Sequence, residues 1–113
     1  MSVTQLLIGI DIGTTGTRCM IFDTKGYCLA SAYREYALER PRMGWVEQSV
    51  PDMLETTALT CREAIASPNV DAGLIASVGL STQQASTCAC TSSGELLRPM
   101  ISWQDTRSQK QYE

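Results

Sequence analysis

Apolar residues cluster in blocks along the first third of the chain, and these blocks predict three consecutive β-strands. The apolar or alternating runs lie at 6–10 (LLIGI), 18–23 (RCMIFD) and 27–36 (YCLASAYREY). A turn at 24–26 (TKG) separates the second run from the third, and its glycine supplies the positive φ that a tight hairpin requires. The pattern therefore predicts a three-stranded meander.

The next apolar pattern has helical spacing, and it follows a loop over 39–48. Ser49 is suited to cap the helix, with Asp52 placed as in a capping box and Pro51 in the first turn. The sequence SPN at 67–69 predicts the end of the helix. The stripe predicted to face the core consists of Leu54, Ala58, Cys61 and Ile65.

The rest of the chain predicts short strands. A buried strand is predicted at 74–81 (LIASVGLS), and because a crossover leads to it, it should run parallel to the first strand. Further strands are predicted at 85–90 and 100–103, with a turn at 92–94 between them and a helix beginning near Thr106. The order β-β-β-α-β predicts an α/β fold with a mixed sheet and excludes folds built from alternating βαβ units.

Charge and cysteine content exclude several classes of function. The net charge is −3 and basic residues form no cluster, so no nucleic-acid partner is expected. No window approaches the roughly 20 apolar residues of a membrane span, so no membrane partner is expected either. The five cysteines form no CxxC pair and the chain has no histidine, which fits neither a disulfide framework nor a zinc site. We therefore expect reduced, buried thiols, including Cys88 and Cys90, in a cytoplasmic protein.

The candidate chemistry lies between the first two strands. Asp11 stands at the end of the first strand, and the loop that follows is rich in glycine and threonine up to Arg18 (GTTGTR). The loop differs from the dinucleotide-binding fingerprint, because a strand and not a helix follows it. It also differs from the P-loop, because no Gly-Lys-Ser/Thr sequence is present. Two interpretations of this hairpin remain open.

In the first interpretation the loop binds phosphate. Backbone N–H groups at the glycines form an anion nest, threonine hydroxyls and Arg18 add donors, and Asp11 holds a hydrated Mg²⁺. In the second interpretation the segment is only a tight hairpin, in which threonine favours strand structure and Asp11 accepts turn hydrogen bonds. The spacing of the residues alone does not separate the two.

Longer segments carry a resemblance to a known family. GIDIGTTGTR (9–18) resembles the phosphate loop of the sugar kinase, heat-shock 70 and actin superfamily, whose domains contain a ribonuclease H-like sheet with the same β-β-β-α-β order. The segments that resemble the FGGY carbohydrate kinases, the family of glycerol, xylulose and gluconate kinases, are GWVEQSVPDML (44–54), GLSTQQ (79–84) and RPMISWQDTR (98–107). The resemblance implies that residues 1–113 are the N-terminal portion of the first domain of such a kinase, so the ribonuclease H-like domain is expected to be incomplete.

The resemblance also implies cofactors, a substrate and site residues. It implies ATP and Mg²⁺ as cofactors and a sugar or polyol as substrate, with Asp11 organising the metal. The residues matched to the ATP phosphates are Gly13, Thr14, Thr15 and Arg18, and those matched to the substrate are Gln84, Ala85 and Trp103. The Gln84–Ala85 pair is neither the Arg-Glu pair of glycerol kinases nor the Met-His pair of xylulose kinases. A glycerol-type hold by arginine is therefore not expected.

The family's catalytic base and second domain would lie beyond residue 113, so no catalytic residue is assigned and no useful kinase turnover is expected from this chain alone. Two alternatives stay open. One is a non-catalytic fragment or binding module that works through association. The other is a fragment of an actin-type or chaperone-type ATPase, which would lack the GWVEQ and WQDTR segments found here.

Two further expectations concern packing. With one full helix to cover the sheet, an apolar face stays open, and we expect the chain to associate as a homodimer. Near the start of the helix, Trp45 is expected to serve as a packing residue, and Glu47 to favour the helix start through its charge.

Overall fold

A four-stranded mixed sheet with one long helix forms the centre of the molecule. The computed structural model describes residues 4–113. In chain order its main elements are β1 (Leu6–Ile12), β2 (Gly16–Asp23), β3 (Cys28–Glu35), β4 (Glu47–Gln48), α1 (Val50–Ile65), β5 (Ile75–Thr82) and β6 (Met100–Ile101). No helix among the described residues has the length and apolar character needed to cross a membrane.

The sheet has the predicted topology. Strands β1, β2 and β3 form an antiparallel meander, and β5 pairs with β1 in parallel after the crossover through α1. The strand order is therefore β3-β2-β1-β5. The short strands β4 and β6 pair antiparallel in a separate two-stranded sheet, which the sequence did not predict as a unit. The order β-β-β-α-β is confirmed, with β4 added just before the helix.

Helix α1 begins where the sequence predicted, but its buried face is different. The Ser49 hydroxyl accepts the Asp52 N–H at 3.3 Å, as expected of an N-cap. The predicted stripe is wrong at Leu54, which is 61% exposed, and at Ala58, which is also exposed. It is confirmed at Cys61 and Ile65, which are partly buried against the core. The residues that face the sheet are Met53, Thr57, Thr60 and Ala64.

Two threonines explain the rotated helix face. The Thr57 hydroxyl donates to the Met53 carbonyl at 2.7 Å, and its oxygen lies within hydrogen-bond distance of the Thr17 hydroxyl, at 3.1 Å. The Thr60 hydroxyl donates to the carbonyl of Thr56 at 2.7 Å. A threonine whose hydroxyl is bonded to its own helix can be buried at little cost, so a search for apolar residues alone misplaces the stripe.

The core lies between α1 and the meander. It is formed by Leu6, Ile8, Cys19, Ile21, Ala32 and Ala64. Burial, with a smaller contribution from the neighbouring Cys61 thiol, raises the pKa of Cys19 to about 12, so this thiol stays protonated at neutral pH. All five cysteines are free, but the prediction that they are buried is wrong for Cys28, Cys88 and Cys90, which are exposed.

Strand β5 is formed as predicted, but it is not buried. Helix α1 packs on β2 and β3. The register pairs Ile8 with Val78 and Ile10 with Leu80, which places Val78 and Leu80 on the same face of the sheet as the core. They are nevertheless 57% and 68% exposed, because α1 does not cover this half of the sheet. The expected open apolar face is therefore present, and it lies along β5.

The segment after β5 is less regular than predicted. The strand predicted at 85–90 is wrong, because this segment makes only isolated bridges, from Thr87 to Ile101 and from Cys90 to Leu96. The turn at 92–94 is confirmed, with Gly94 at φ 87°. Instead of the helix predicted near Thr106, the structure contains one turn of 3₁₀ helix at Gln109–Gln111.

Candidate functional site

The glycine- and threonine-rich loop closes the β1–β2 hairpin. The Gly13 N–H donates to the Gly16 carbonyl at 2.9 Å and fixes the turn. Gly16 packs directly against β3: a Cβ atom at this position would lie 2.4 Å from the Arg34 carbonyl oxygen and 2.7 Å from the Tyr33 hydroxyl. Only glycine fits this approach of the loop to the third strand.

Every carbonyl oxygen from Ile12 to Gly16 accepts a hydrogen bond from the protein. The Gln48 side chain donates Nε2–H to the Thr14 carbonyl at 2.7 Å. The Gly13 carbonyl accepts the Gln83 Nε2–H at 3.2 Å and also the Tyr36 hydroxyl. The remaining bonds are Gln83 N–H to Ile12 at 2.9 Å, Tyr36 N–H to Thr15 at 3.2 Å and Gly13 N–H to Gly16 at 2.9 Å.

Two backbone N–H groups of the loop, in contrast to its carbonyl oxygens, have no partner in the part of the chain that the structure describes. Within residues 4–113, the backbone N–H groups of Thr14 and Thr15 have no hydrogen-bond acceptor. Thr15 is exposed and Thr14 is half-buried. Because the carbonyl ends are occupied and these donors are free, the loop has the polarity of an anion-binding nest. The backbone therefore fits a phosphate group, as the first interpretation of the hairpin requires.

Tyr36 stabilises the loop as a donor at all ordinary pH values. Burial, the nearby carboxylate of Asp11 and the Tyr33 hydroxyl together raise the pKa of Tyr36 to about 12, with burial as the largest cause. The phenol therefore keeps its proton and donates it to the Gly13 carbonyl.

Asp11 lies beside this loop, at the carboxyl end of β1. Its carboxylate is exposed, and the register places it between Arg18 of β2 and Ser81 of β5. The described part of the chain contains no group of three or more metal-ligating residues. A hydrated Mg²⁺ needs only one or two protein carboxylates, since water and phosphate oxygens complete its shell, so Asp11 alone fits this ion.

Arg18 is directed toward β3. Its guanidinium lies 4.8 Å from the centre of the Tyr33 ring, in a cation–π contact on the exposed surface. Tyr33 is also the residue whose hydroxyl approaches Gly16. The predicted role of Arg18 at the ATP phosphates stays a prediction.

The structure brings one predicted substrate residue into direct contact with the loop. The Trp103 indole Nε1–H donates to the Thr14 hydroxyl at 2.8 Å, while its ring stays 53% exposed. Gln84 and Ala85 are exposed just beyond β5, and Ala85 adopts φ 59°. A non-glycine residue in this left-handed region is uncommon and carries strain that is often found at functional sites.

Three residues that hold the loop were not predicted from the sequence: Tyr36, Gln48 and Gln83. Gln48 and Gln83 lie within the segments GWVEQSVPDML and GLSTQQ, which stand out as motifs, but neither glutamine has an obvious role in the sequence alone. The only available signal was a glutamine beside an apolar strand, where a buried amide must find partners.

Glu47 has a role that was not predicted, while its expected charge effect on the helix start stays a prediction. Its side chain is 9% exposed and accepts Arg98 Nη2–H at 2.7 Å and Arg107 Nη2–H at 2.9 Å. Asp105, 2% exposed, accepts Arg107 at 2.6 Å and the Val46 N–H at 2.6 Å. The Arg107 guanidinium beside Asp105 holds the pKa of that carboxyl well below its usual range.

The ion network anchors the small sheet next to the loop. The Arg107 guanidinium lies 3.7 Å from the centre of the Trp45 ring, which makes this half-buried tryptophan a packing partner of the network. Glu47 immediately precedes Gln48, and Asp105 follows Trp103 closely. The network therefore fixes the two segments whose side chains reach Thr14.

Comparison with known proteins shows the family to which the chain belongs. Residues 6–113 match the model of the N-terminal domain of the FGGY family of carbohydrate kinases. Glycerol kinase 1 of Pseudomonas aeruginosa is 36% identical over 107 residues, which cover 94% of this chain and 22% of that protein. The chain thus spans about a fifth of the length of the curated relatives it matches.

Solved structures show the same fold. A xyloylose kinase from Brucella ovis matches with a TM-score of 0.89 and 27% identity, over 94% of this chain and 22% of that one. A gluconate kinase from Lactobacillus acidophilus matches with a TM-score of 0.86 and 27% identity, over 96% and 21%. These matches confirm the predicted ribonuclease H-like fold with its mixed sheet. The chain contains part of that domain.

Proposed function

The chain belongs to the FGGY family of carbohydrate kinases, and on this premise we propose that it provides the phosphate loop and part of the sugar site for ATP-dependent phosphorylation of a sugar or polyol. One observation carries the proposal. The hairpin loop has its carbonyl oxygens bonded to the protein and the N–H groups of Thr14 and Thr15 free, beside the exposed Asp11 carboxylate. This arrangement suits a magnesium-bound polyphosphate.

Each residue then has a defined task. The N–H groups of Thr14 and Thr15 bind phosphate oxygens, Gly13 allows their close approach, and Arg18 adds positive charge. Asp11 orients the water shell of the metal. When bound, Mg²⁺ and ATP supply the phosphoryl group and neutralise the charge that develops during its transfer. The residues assigned to the polyol side are Gln84, Ala85 and Trp103.

The alternative function is non-catalytic. Phosphoryl transfer depends on positioning and on a cleft that excludes water, and closure of such a cleft needs a second wall. The chain spans about a fifth of the length of its relatives, and its β5 half is open. We propose that these 113 residues alone bind polyphosphate but give no useful turnover.

The binding part of the proposal is tested by titrating the chain with inorganic tripolyphosphate in the presence of Mg²⁺. We expect the amide resonances of Thr14 and Thr15 to shift, and the Asp11→Asn variant to lose the dependence on Mg²⁺. Asp52→Asn is the matched control, since that carboxylate is exposed on α1. Unmoved loop amides at millimolar ligand would refute phosphate binding, and ADP formation above background with any sugar would refute the absence of turnover.

We propose further that the chain associates as a homodimer through β5. This strand lies at the edge of the sheet, so the backbone groups along its outer side are unpaired within residues 4–113. Leu80, a residue of this strand, is 68% exposed. Leu80→Lys should convert the dimer to a monomer in sedimentation velocity runs at micromolar concentration. The control Leu54→Lys, which places the same charge on an exposed leucine of α1, should leave the dimer intact. A clean monomer before any substitution would contradict this prediction.

A further inference from the structure

A closed circuit of hydrogen bonds joins the phosphate loop to Trp103. Starting at the loop, Gln48 Nε2–H donates to the Thr14 carbonyl at 2.7 Å, and Gln83 Nε2–H donates to Gln48 Oε1 at 3.0 Å. The Ser86 hydroxyl donates to Gln83 Oε1 at 2.8 Å and accepts the Trp103 backbone N–H at 3.1 Å. The Trp103 indole N–H then returns to the Thr14 hydroxyl at 2.8 Å.

Gln83 belongs to this circuit and also bonds directly to the loop, at Gly13. Its two amide hydrogens go to Gln48 Oε1 and to the Gly13 carbonyl, the latter at 3.2 Å, and its oxygen accepts Ser86. The amide therefore has one orientation that satisfies all of its partners. Gln48 is fully buried, so it has no solvent to replace a lost partner.

We propose that Gln83, acting through Gln48 and Ser86, is a positioning residue that holds the loop carbonyls and the Trp103 indole in one arrangement. The proposal deepens the proposed function, on which it rests for the identity of the ligand. Because Thr14 is both a phosphate-side residue and the partner of Trp103, occupancy of the loop changes the environment of the indole through a connected set of bonds. Gln83 thereby couples the phosphate side to the substrate side.

The test compares Gln83→Met with the matched control Gln109→Met, which removes an exposed amide far from the loop in sequence. The first readout is hydrogen exchange of the Trp103 indole N–H without ligand, assigned by its loss in Trp103→Phe. We expect exchange to be about tenfold faster in Gln83→Met and unchanged in the control, because loss of the circuit frees the indole. The second readout is the shift of that indole resonance with Mg²⁺ and inorganic tripolyphosphate, which should disappear in Gln83→Met.

A second variant protects the test against misfolding. Ser86→Ala opens the circuit on its other side without touching the loop carbonyls, and it should also speed indole exchange. Indole exchange within twofold of the control in both variants would overturn the positioning role. If tripolyphosphate does not bind the unaltered chain, the proposed function fails, whereas the ligand-free exchange rates still decide the role of Gln83.

Discussion

Replacing Arg107 by methionine is expected to destabilise the fold by about 3 kcal/mol, because a buried pair loses one partner. Methionine keeps the apolar stem of the side chain but leaves the Asp105 carboxylate, 2% exposed, without its cation. The substitution also removes the ion pair between Arg107 and Glu47, and it removes the guanidinium that lies over the Trp45 ring. Arg98 still pairs with Glu47, which keeps the expected loss at the low end for buried pairs.

The matched control is Arg34→Met. This substitution breaks the Arg34–Glu63 pair, whose side chains are 44% and 57% exposed, and an exposed pair contributes less than about 1 kcal/mol. Urea unfolding of both variants at equal m-value measures the difference. Equal midpoints for the two variants would show that the network around Arg107 contributes no more than a surface pair.

The same network has a defined pH dependence. Its bonds to Arg107 lower the pKa of Asp105 in the folded chain, below the ordinary value of 3.8. A lowered pKa means that this stabilisation is fully present above the ordinary value and is lost as pH falls toward the folded value. The stability difference between the unaltered chain and Arg107→Met should therefore be largest near neutral pH and shrink below about pH 4. A difference that stays constant from pH 7 to pH 3 would contradict the role of Asp105.

Local signals account for the elements that were predicted correctly. The Ser49 cap lies within a few residues of its partner Asp52, and the turn at 24–26 needs only its glycine. The predicted face of α1 was wrong in its first half, because Thr57 and Thr60 bury hydroxyls that bond to their own helix, whereas polarity scales treat threonine as a surface residue. Burial of β5 was wrong because cover on a strand depends on elements distant in sequence.

In the candidate site, too, local signals identify some residues, and others depend on contacts between distant parts of the chain. The loop and Asp11 stand out because glycine, threonine and a carboxylate occur together at the end of one apolar strand. Gln48 and Gln83 do not stand out in the sequence, because they reach the loop only after folding brings β4 and the end of β5 next to it. Glu47 likewise resembles a helix-start charge until Arg98 and Arg107 fold onto it from about half the chain away.

The Gly16→Ala substitution is expected to have the second large effect, a loss of at least about 2 kcal/mol with disruption of the loop. The added Cβ would lie 2.4 Å from the Arg34 carbonyl oxygen, and a backbone atom in a paired strand cannot move aside without breaking the β2–β3 ladder. The Tyr33 hydroxyl at 2.7 Å and ring carbon at 2.9 Å add to the conflict. The loop must then lift from β3, which removes the Tyr36 N–H from the Thr15 carbonyl.

Gly9→Ala separates this steric effect from the general cost of replacing a strand glycine. At Gly9 the nearest atom to an added Cβ is Phe22 Cε2 at 3.8 Å, an ordinary contact, so stability should change by less than about 1 kcal/mol. Gly9→Ala should also keep the amide shifts of Thr14 and Thr15 with tripolyphosphate, whereas Gly16→Ala should lose them. If both variants unfold at the same urea concentration and bind alike, the close approach at Gly16 does not set the loop geometry, and the free N–H groups of Thr14 and Thr15 must be fixed by the glutamine bonds alone.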